Sequence, residues 1–469
     1  MKKNNLSIHA RIRSTFWITG IVFCGATSAG YAGDVAYGYG YNATYSDNIA
    51  RTPSRERSDW IHSLIAGVGY RENTTDIVAQ VLAQAEYRTY QNNSFSDETI
   101  FNLNSSLLWV ISPQRFTWSV VDTFRQSQTN PTLADTPANR SNVNVFSTGP
   151  DFYLRFSPVN TLAFGGRVAN VYTGDANADN NRFSGTTSWL YQSSSISTYS
   201  LNYQLTDVRY SNSTLNNNFT RQDVFLRAQF QPTLSRYVLD VGSTQLNRER
   251  GKDLTGSLTR FSWTRQSTPE ATFGASVSQE FSDTGTDILA ASAISSSPMA
   301  ASAAGAGSPT TTAGSGGTSD SGSVSVIAPD VLTSDVYYAK RGSVFYARRG
   351  SRTGVRFEAY RNDLDYETFP LDRRESGARF QFDYYYSSAI TAGFFTEYTQ
   401  TKYLNPPNYP RKDNDQDTGV RVDFRANRTI SLGVEGRHTL RNSTIAAADF
   451  TENRVLFSIA YSTGPIFTP

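Results

Sequence analysis

Three kinds of residue or pattern are scarce in this 469-residue chain: cysteine, lysine with histidine, and long apolar runs. The one cysteine, Cys24, lies in an N-terminal apolar stretch, so the rest of the chain offers no disulfide, no thiol nucleophile and no thiolate metal ligand. Of the 43 basic residues six are lysine and the others arginine, and the formal net charge of +2 gives no reason to expect nucleic acid as a partner. Beyond residue 30 no apolar run suits a membrane-spanning helix or a helical core.

The N-terminus has its own pattern. Lys2, Lys3, Arg11 and Arg13 precede the apolar run Phe16–Gly25, followed by the small-residue segment Ser28-Ala29-Gly30-Tyr31-Ala32. This is the layout of a secretory signal peptide over residues 1–32, with cleavage after Ala32. The chain is therefore expected to be exported, and residues 33–469 to form the mature protein.

What the mature sequence has in abundance is aromatic side chains, 27 Tyr, 28 Phe and 6 Trp in the whole chain, and strict alternation. Val420, Val422 and Phe424 alternate with Arg421, Asp423 and Arg425; Leu432 and Val434 alternate with Gly433 and Glu435. Val224, Leu226, Ala228 and Phe230 oppose Asp223, Phe225, Arg227 and Gln229. A period of two marks β-strands with two different faces. Short turn signals such as Ser112-Pro113, Ser157-Pro158, Gln231-Pro232, Thr268-Pro269 and Asn427-Arg428 alternate with longer polar connections such as 130–142, 174–181, 211–218 and 404–416. Proline donates no ladder hydrogen bond and belongs at strand ends.

Long strands with short turns on one side and longer loops on the other describe a transmembrane antiparallel up-and-down β-barrel. The expected count is about 20 strands, or about 18 if the weaker segments 183–191 and 254–266 are not strands. Short turns would lie in the periplasm and longer loops outside, in the outer membrane of a Gram-negative bacterium. Trp60, Tyr70, Trp109, Trp118, Tyr386 and Tyr461 suit aromatic girdles at the lipid boundary. A soluble β-sandwich must alternate as well, but its strands are about half as long. Residues 284–333, nearly pure Ala, Ser, Gly and Thr, break the rhythm and are expected to be a flexible extracellular loop, solvated rather than folded into the mouth.

The candidate chemistry is sparse. His62 and His438 fall on the apolar face, and no motif marks a nucleophile, so no enzyme is expected. Asp175, Asn177 and Asp179, and again Asp413, Asp415 and Asp417, have the spacing of calcium-loop ligands, but Thr186 and Phe424 stand where a bidentate glutamate belongs. A solvated loop is the preferred reading of both, and no cofactor is implied. The lumen offers more. Its inward side carries Arg155, Arg167, Arg227, Arg356, Glu358 and Arg379, and further along Asp383, Arg421, Asp423, Arg425, Glu435 and Arg437. These groups could line a substrate track or simply pair with one another.

Two short motifs bring a family into view. The segment Thr44-Tyr45-Ser46-Asp47-Asn48-Ile49, with Asp59 opening the next strand, and Thr451-Glu452-Asn453-Arg454 before the last strand resemble those of outer-membrane β-barrel proteins associated with bacterial exopolysaccharide export, the PEP-CTERM-system-associated group. The resemblance implies a passive conduit for an extracellular polysaccharide. It would be fed by a periplasmic outer-membrane polysaccharide export protein and inner-membrane machinery, and inserted among lipid and lipopolysaccharide by the barrel assembly machinery. It implies no catalytic residues. The other readings are a small-nutrient uptake porin, which an inward-folded loop with opposed charges would favour, and a surface barrel that retains polysaccharide through its loops. The chain departs from barrels that end on an aromatic residue: either Tyr461 or Phe467 would mark the assembly signal.

Overall fold

The computed structural model describes residues 33–464, except 131, 175–177, 214–215, 294–331 and 406–409. The expected signal peptide, most of the Ala/Ser/Gly/Thr segment and Phe467 lie outside the described residues. Twenty strands follow one another along the chain. The first ten are β1 (Asp34–Ser46), β2 (Asp59–Asn73), β3 (Ile77–Tyr90), β4 (Glu98–Ser112), β5 (Phe116–Gln128), β6 (Arg140–Arg155), β7 (Asn160–Tyr172), β8 (Asn180–Ser194), β9 (Ser197–Tyr210) and β10 (Phe219–Phe230). A second run holds β11 (Ser235–Arg248), β12 (Leu254–Thr268), β13 (Ala271–Asp283), β14 (Val336–Arg349), β15 (Thr353–Tyr366), β16 (Arg373–Tyr385), β17 (Ile390–Tyr403), β18 (Arg411–Arg425), β19 (Ile430–Ser443) and β20 (Phe450–Ser462).

Each strand pairs antiparallel with its sequence neighbours, and β1 pairs with β20, so the sheet closes into a barrel with no free edge. Connections at one end, the turn end, are two to four residues long. Those at the other, the loop end, run from five to 12 residues apart from the 52 between β13 and β14. The turns form where the sequence supplies their chemistry. Ser157 and Ser387 accept backbone N–H bonds two and three residues on, and Asn427 does the same for Thr429 and Ile430.

The two segments of doubtful strand character, 183–191 and 254–266, are β8 and β12, which decides the count at 20. Two connections are shorter than the sequence suggests. β6 begins at Arg140, and β18 begins at Arg411, so Asp413 to Gln416 are strand rather than loop. Alternating charge and amide along Asp413–Asp417 is a strand pattern too, and polarity alone had disguised it.

The alternation places the faces as expected. On β10, Leu226 is 63% exposed on the outside while Asp223 on the inside is 1% exposed. At the turn end an aromatic band circles the exterior, with Tyr39 stacked on Tyr461, Phe116 on Phe152, and Trp118 donating to Thr148.

The largest departure from expectation is at the loop end. The β12–β13 register stops at Thr259↔Gln279, yet β13–β14 pairing continues to Asp283↔Val336. The freed tip turns inward, and Phe281 and Val336 pack on inward-facing Val208, Tyr210, Phe219 and Leu246. The chain then forms helix α1 (Thr284–Ala293), against β4, β5 and β6 across the lumen. Ile288, 1% exposed, and Leu332 cover inward-facing Val143, Val145 and Val171. The start of the insertion is thus a packed helix inside the mouth, not a solvated surface loop.

Candidate functional site: the charged lumen

Inward-facing charges fall into three groups. The longest runs along β15 to β20. Arg379 pairs with Glu397 at 2.8 Å, and its guanidinium lies over Tyr360. Arg421 reaches Asp383 at 2.8 Å and Asp423 at 3.7 Å. Arg437 lies between Glu435 (3.1 Å) and Asp417 (3.5 Å), stacked over Phe395. Arg356 and Glu358, 3.9 Å apart, extend the row on β15.

A second group is more deeply buried. Arg227 grips Asp240 through two bonds of 2.6 and 2.7 Å, and Arg260 bridges the same carboxylate at 3.5 Å to Glu280 at 2.6 Å. Both guanidinium groups face the Phe225 ring. Arg221 joins Asp223 at 2.8 Å and donates to the Phe281 carbonyl, tying the inward-bent tip of β13 to the wall. Asp240 is fully buried, so the arginine forks must replace its hydration.

The third group anchors α1. Asp283 caps the helix, accepting from the Thr286 backbone N–H, and pairs with Arg182 of β8. Asp287 accepts from Tyr337 at 2.6 Å, from Ser282 and from Arg341. A Cβ at Gly285 would meet the Arg182 guanidinium at 2.3 Å, so a side chain there would displace Arg182. Below the helix lies an open space lined on one side by hydroxyl and amide groups, Ser147, Ser184, Thr186, Gln204 and Thr206, and on the other by Arg260 and Glu280.

Of the sequence-derived candidates, Arg356, Glu358, Arg379, Asp383, Arg421, Asp423, Glu435 and Arg437 come together in the first group. Arg227 belongs to the second. Arg167 stands apart on β7, bonded to Asp151 at 2.6 Å and to the carbonyls of Pro150 and Gly166. Those carbonyls lie where the β6–β7 ladder breaks at Gly149 and Pro150, so Arg167 repairs backbone. Arg155 and Arg425 are exposed at the turn end.

The second candidate calcium loop is strand, not loop. Asp413, Asp415 and Asp417 are inward strand residues whose carboxylates pair with Arg411, Arg441 and Arg437 at 2.7, 2.6 and 3.5 Å. Asp175 and Asn177 lie outside the described residues, and Asp179 accepts from Thr173. His62 bonds to Tyr41 and His438 to Asn453, both on the outer face.

Sequence reading missed Asp240, Arg260, Glu280 and the α1 anchors. Arg260 lay in a segment of weak alternation, and Asp283 and Asp287 lay at the edge of a low-complexity run. Leu258-Thr-Arg260-Phe-Ser262 does carry the inward period, and Ser282-Asp283-Thr284 is a helix-start signal.

No family model matches the chain, and no curated relative matches it. Solved structures with similar barrels include OccK3 (OpdO) of Pseudomonas aeruginosa, 10% identical over 92% of this chain and 96% of that one, with a TM-score of 0.35. Others are the FrpB iron transporter of Neisseria meningitidis, 8% identical over 92% and 82% with a TM-score of 0.45, and the ferric enterobactin receptor PfeA of Pseudomonas aeruginosa, 8% identical over 93% and 81% with a TM-score of 0.45. At these values the likeness carries no argument about cargo or partners.

Proposed function

We propose that the protein is an outer-membrane channel, and that it conducts an extracellular polysaccharide outward. The observation that carries the channel reading is the pairing of two solvents on one wall. Apolar and aromatic side chains cover the outside at mid-strand, while the inside away from the α1 and β13 contacts is rich in arginine, carboxylate, hydroxyl and amide groups. Only a closed barrel satisfies every backbone group in lipid, and only a wet lumen gives such an interior a use. The turn end then faces the periplasm and the loop end the exterior. Export rather than uptake is supported by the resemblance of the two terminal motifs to barrels of exopolysaccharide systems.

A second reading has its own support. The inward-bent β13 tip and α1 narrow the loop-end mouth beside opposed arginines and carboxylates, which suits a size-restricted nutrient porin. Deleting the gene separates the two. Polymer trapped in the periplasm, restored to the surface by complementation, is the expected result for export. Unchanged surface polymer together with loss of growth on a small solute would establish uptake instead.

A further inference from the structure

The lumenal charges are distributed unevenly along the barrel axis. In the middle and at the loop end, each arginine described above has a carboxylate or a carbonyl against it. At the turn end three inward-facing arginines, Arg155 on β6, Arg236 on β11 and Arg425 on β18, are all exposed. Arg155 reaches the Pro158 carbonyl, a contact that leaves its positive charge uncompensated. Of the inward acids at this end, Asp383 and Asp423 lie against Arg421, and Asp34 stands in register opposite Arg71, itself exposed. In the turns themselves Arg115, Arg352 and Arg428 outnumber the acids Asp76 and Glu270, and Glu270 lies 3.6 Å from Arg348.

We infer that this arginine collar captures an anionic polymer, one bearing carboxylates or phosphates along its length, at the turn-end mouth. The inference rests on the conduit reading and specifies its cargo. Guanidinium forks bind carboxylate and phosphate in bidentate geometry. A mouth with low-dielectric walls focuses their field and raises the capture rate of an oppositely charged chain about 10–1000-fold. The collar is spread over strands 6, 11 and 18 rather than gathered in one pocket. Dispersed sites of moderate strength suit a chain that must keep moving, since a single tight site would arrest it. The inward aim of these side chains favours cargo over a protein docked on the rim. The placement also fits export: a polyanion meets the positive field from the periplasmic side, before it reaches the narrow loop end.

The test uses the full mature barrel in planar bilayers with known orientation, probed with galacturonate oligomers and neutral dextran oligomers of matched length. The expected result is current block by galacturonate from the turn-end side, at least about tenfold more frequent than from the loop-end side or than with dextran, and weakened by salt. The triple variant Arg155→Gln/Arg236→Gln/Arg425→Gln should lose most of that excess, and the corresponding triple lysine variant should keep it. Heat-modifiable gel mobility checks that each variant is folded, and the single variants serve if the triple does not fold. Equal block by dextran, equal block from both sides, or an unchanged glutamine variant would overturn the inference. So would capture of polyglutamate peptide without galacturonate block, which would make the collar a docking surface for an acidic protein. In each of those cases a conducting barrel leaves the conduit reading standing. Absence of conductance both in the natural chain and in Asp287→Asn, which loosens α1, would overturn the conduit reading itself.

Discussion

Asp240 shows how the lumen holds itself together. It is fully buried between Arg227 and Arg260, and the three charges are stable only as a set. Replacing Asp240 by Asn keeps the shape but leaves two buried guanidinium groups without their shared anion. Removing one partner of a buried pair costs about 3–5 kcal/mol. The double variant Arg227→Met/Asp240→Leu removes charge of both signs from the site. Asp240→Asn should therefore shift the urea midpoint of the folded barrel downward by much more than the double variant does. Urea titration followed by tryptophan fluorescence reads this directly, and equal shifts would mean that the lumenal charges are solvated rather than interdependent.

At the level of elements, α1 is the feature that most narrows the lumen and the one least legible in the sequence. The strands announced themselves because a period of two persists over 12 to 16 residues, and even the weaker β8 and β12 kept it. The inward tip did not, because leaving the barrel wall makes both faces of Phe281, Ser282 and Asp283 buried and erases alternation there. The helix is short and lies beside a low-complexity run, so composition favoured a loop. Its stability is tertiary, coming from Ile288 on the opposite wall and from the Asp283–Arg182 and Asp287–Arg341 pairs. Asp287→Asn retains the volume and weakens the bonds to Tyr337 and Arg341. The expected outcome is a larger or more frequently open single-channel conductance with an unchanged strand content by circular dichroism. A conductance identical to that of the natural chain would show that α1 does not limit passage.

For the molecule as a whole, the decisive contact is the seam. β1 and β20 are joined over nine residue pairs, against 13 for β1 and β2, although both pairings are part of the same closed wall. Side chains make up the difference, and they come from the two motifs that carry the family resemblance. Asp47 accepts from the backbone N–H and side-chain amide of Asn453, both at 2.7 Å. Asn48, fully buried, donates to the Thr451 and Thr52 carbonyls, and Glu452 accepts from Ser46 while pairing with Arg51 at 2.9 Å. These residues close the cylinder at its loop end, which gives the motif an architectural use beside the resemblance it carries. Each hydrogen bond elsewhere is worth about 1 kcal/mol, but here its loss opens an edge along which neighbouring bonds are lost in turn. Asp47→Ala should accordingly lower the temperature at which the folded gel band converts to the unfolded one by more than Thr396→Val, which removes the single Thr396–Thr418 bond in mid-wall. If the two variants convert at the same temperature, the clasp adds no more than one ordinary bond, and closure rests on the nine-pair ladder alone.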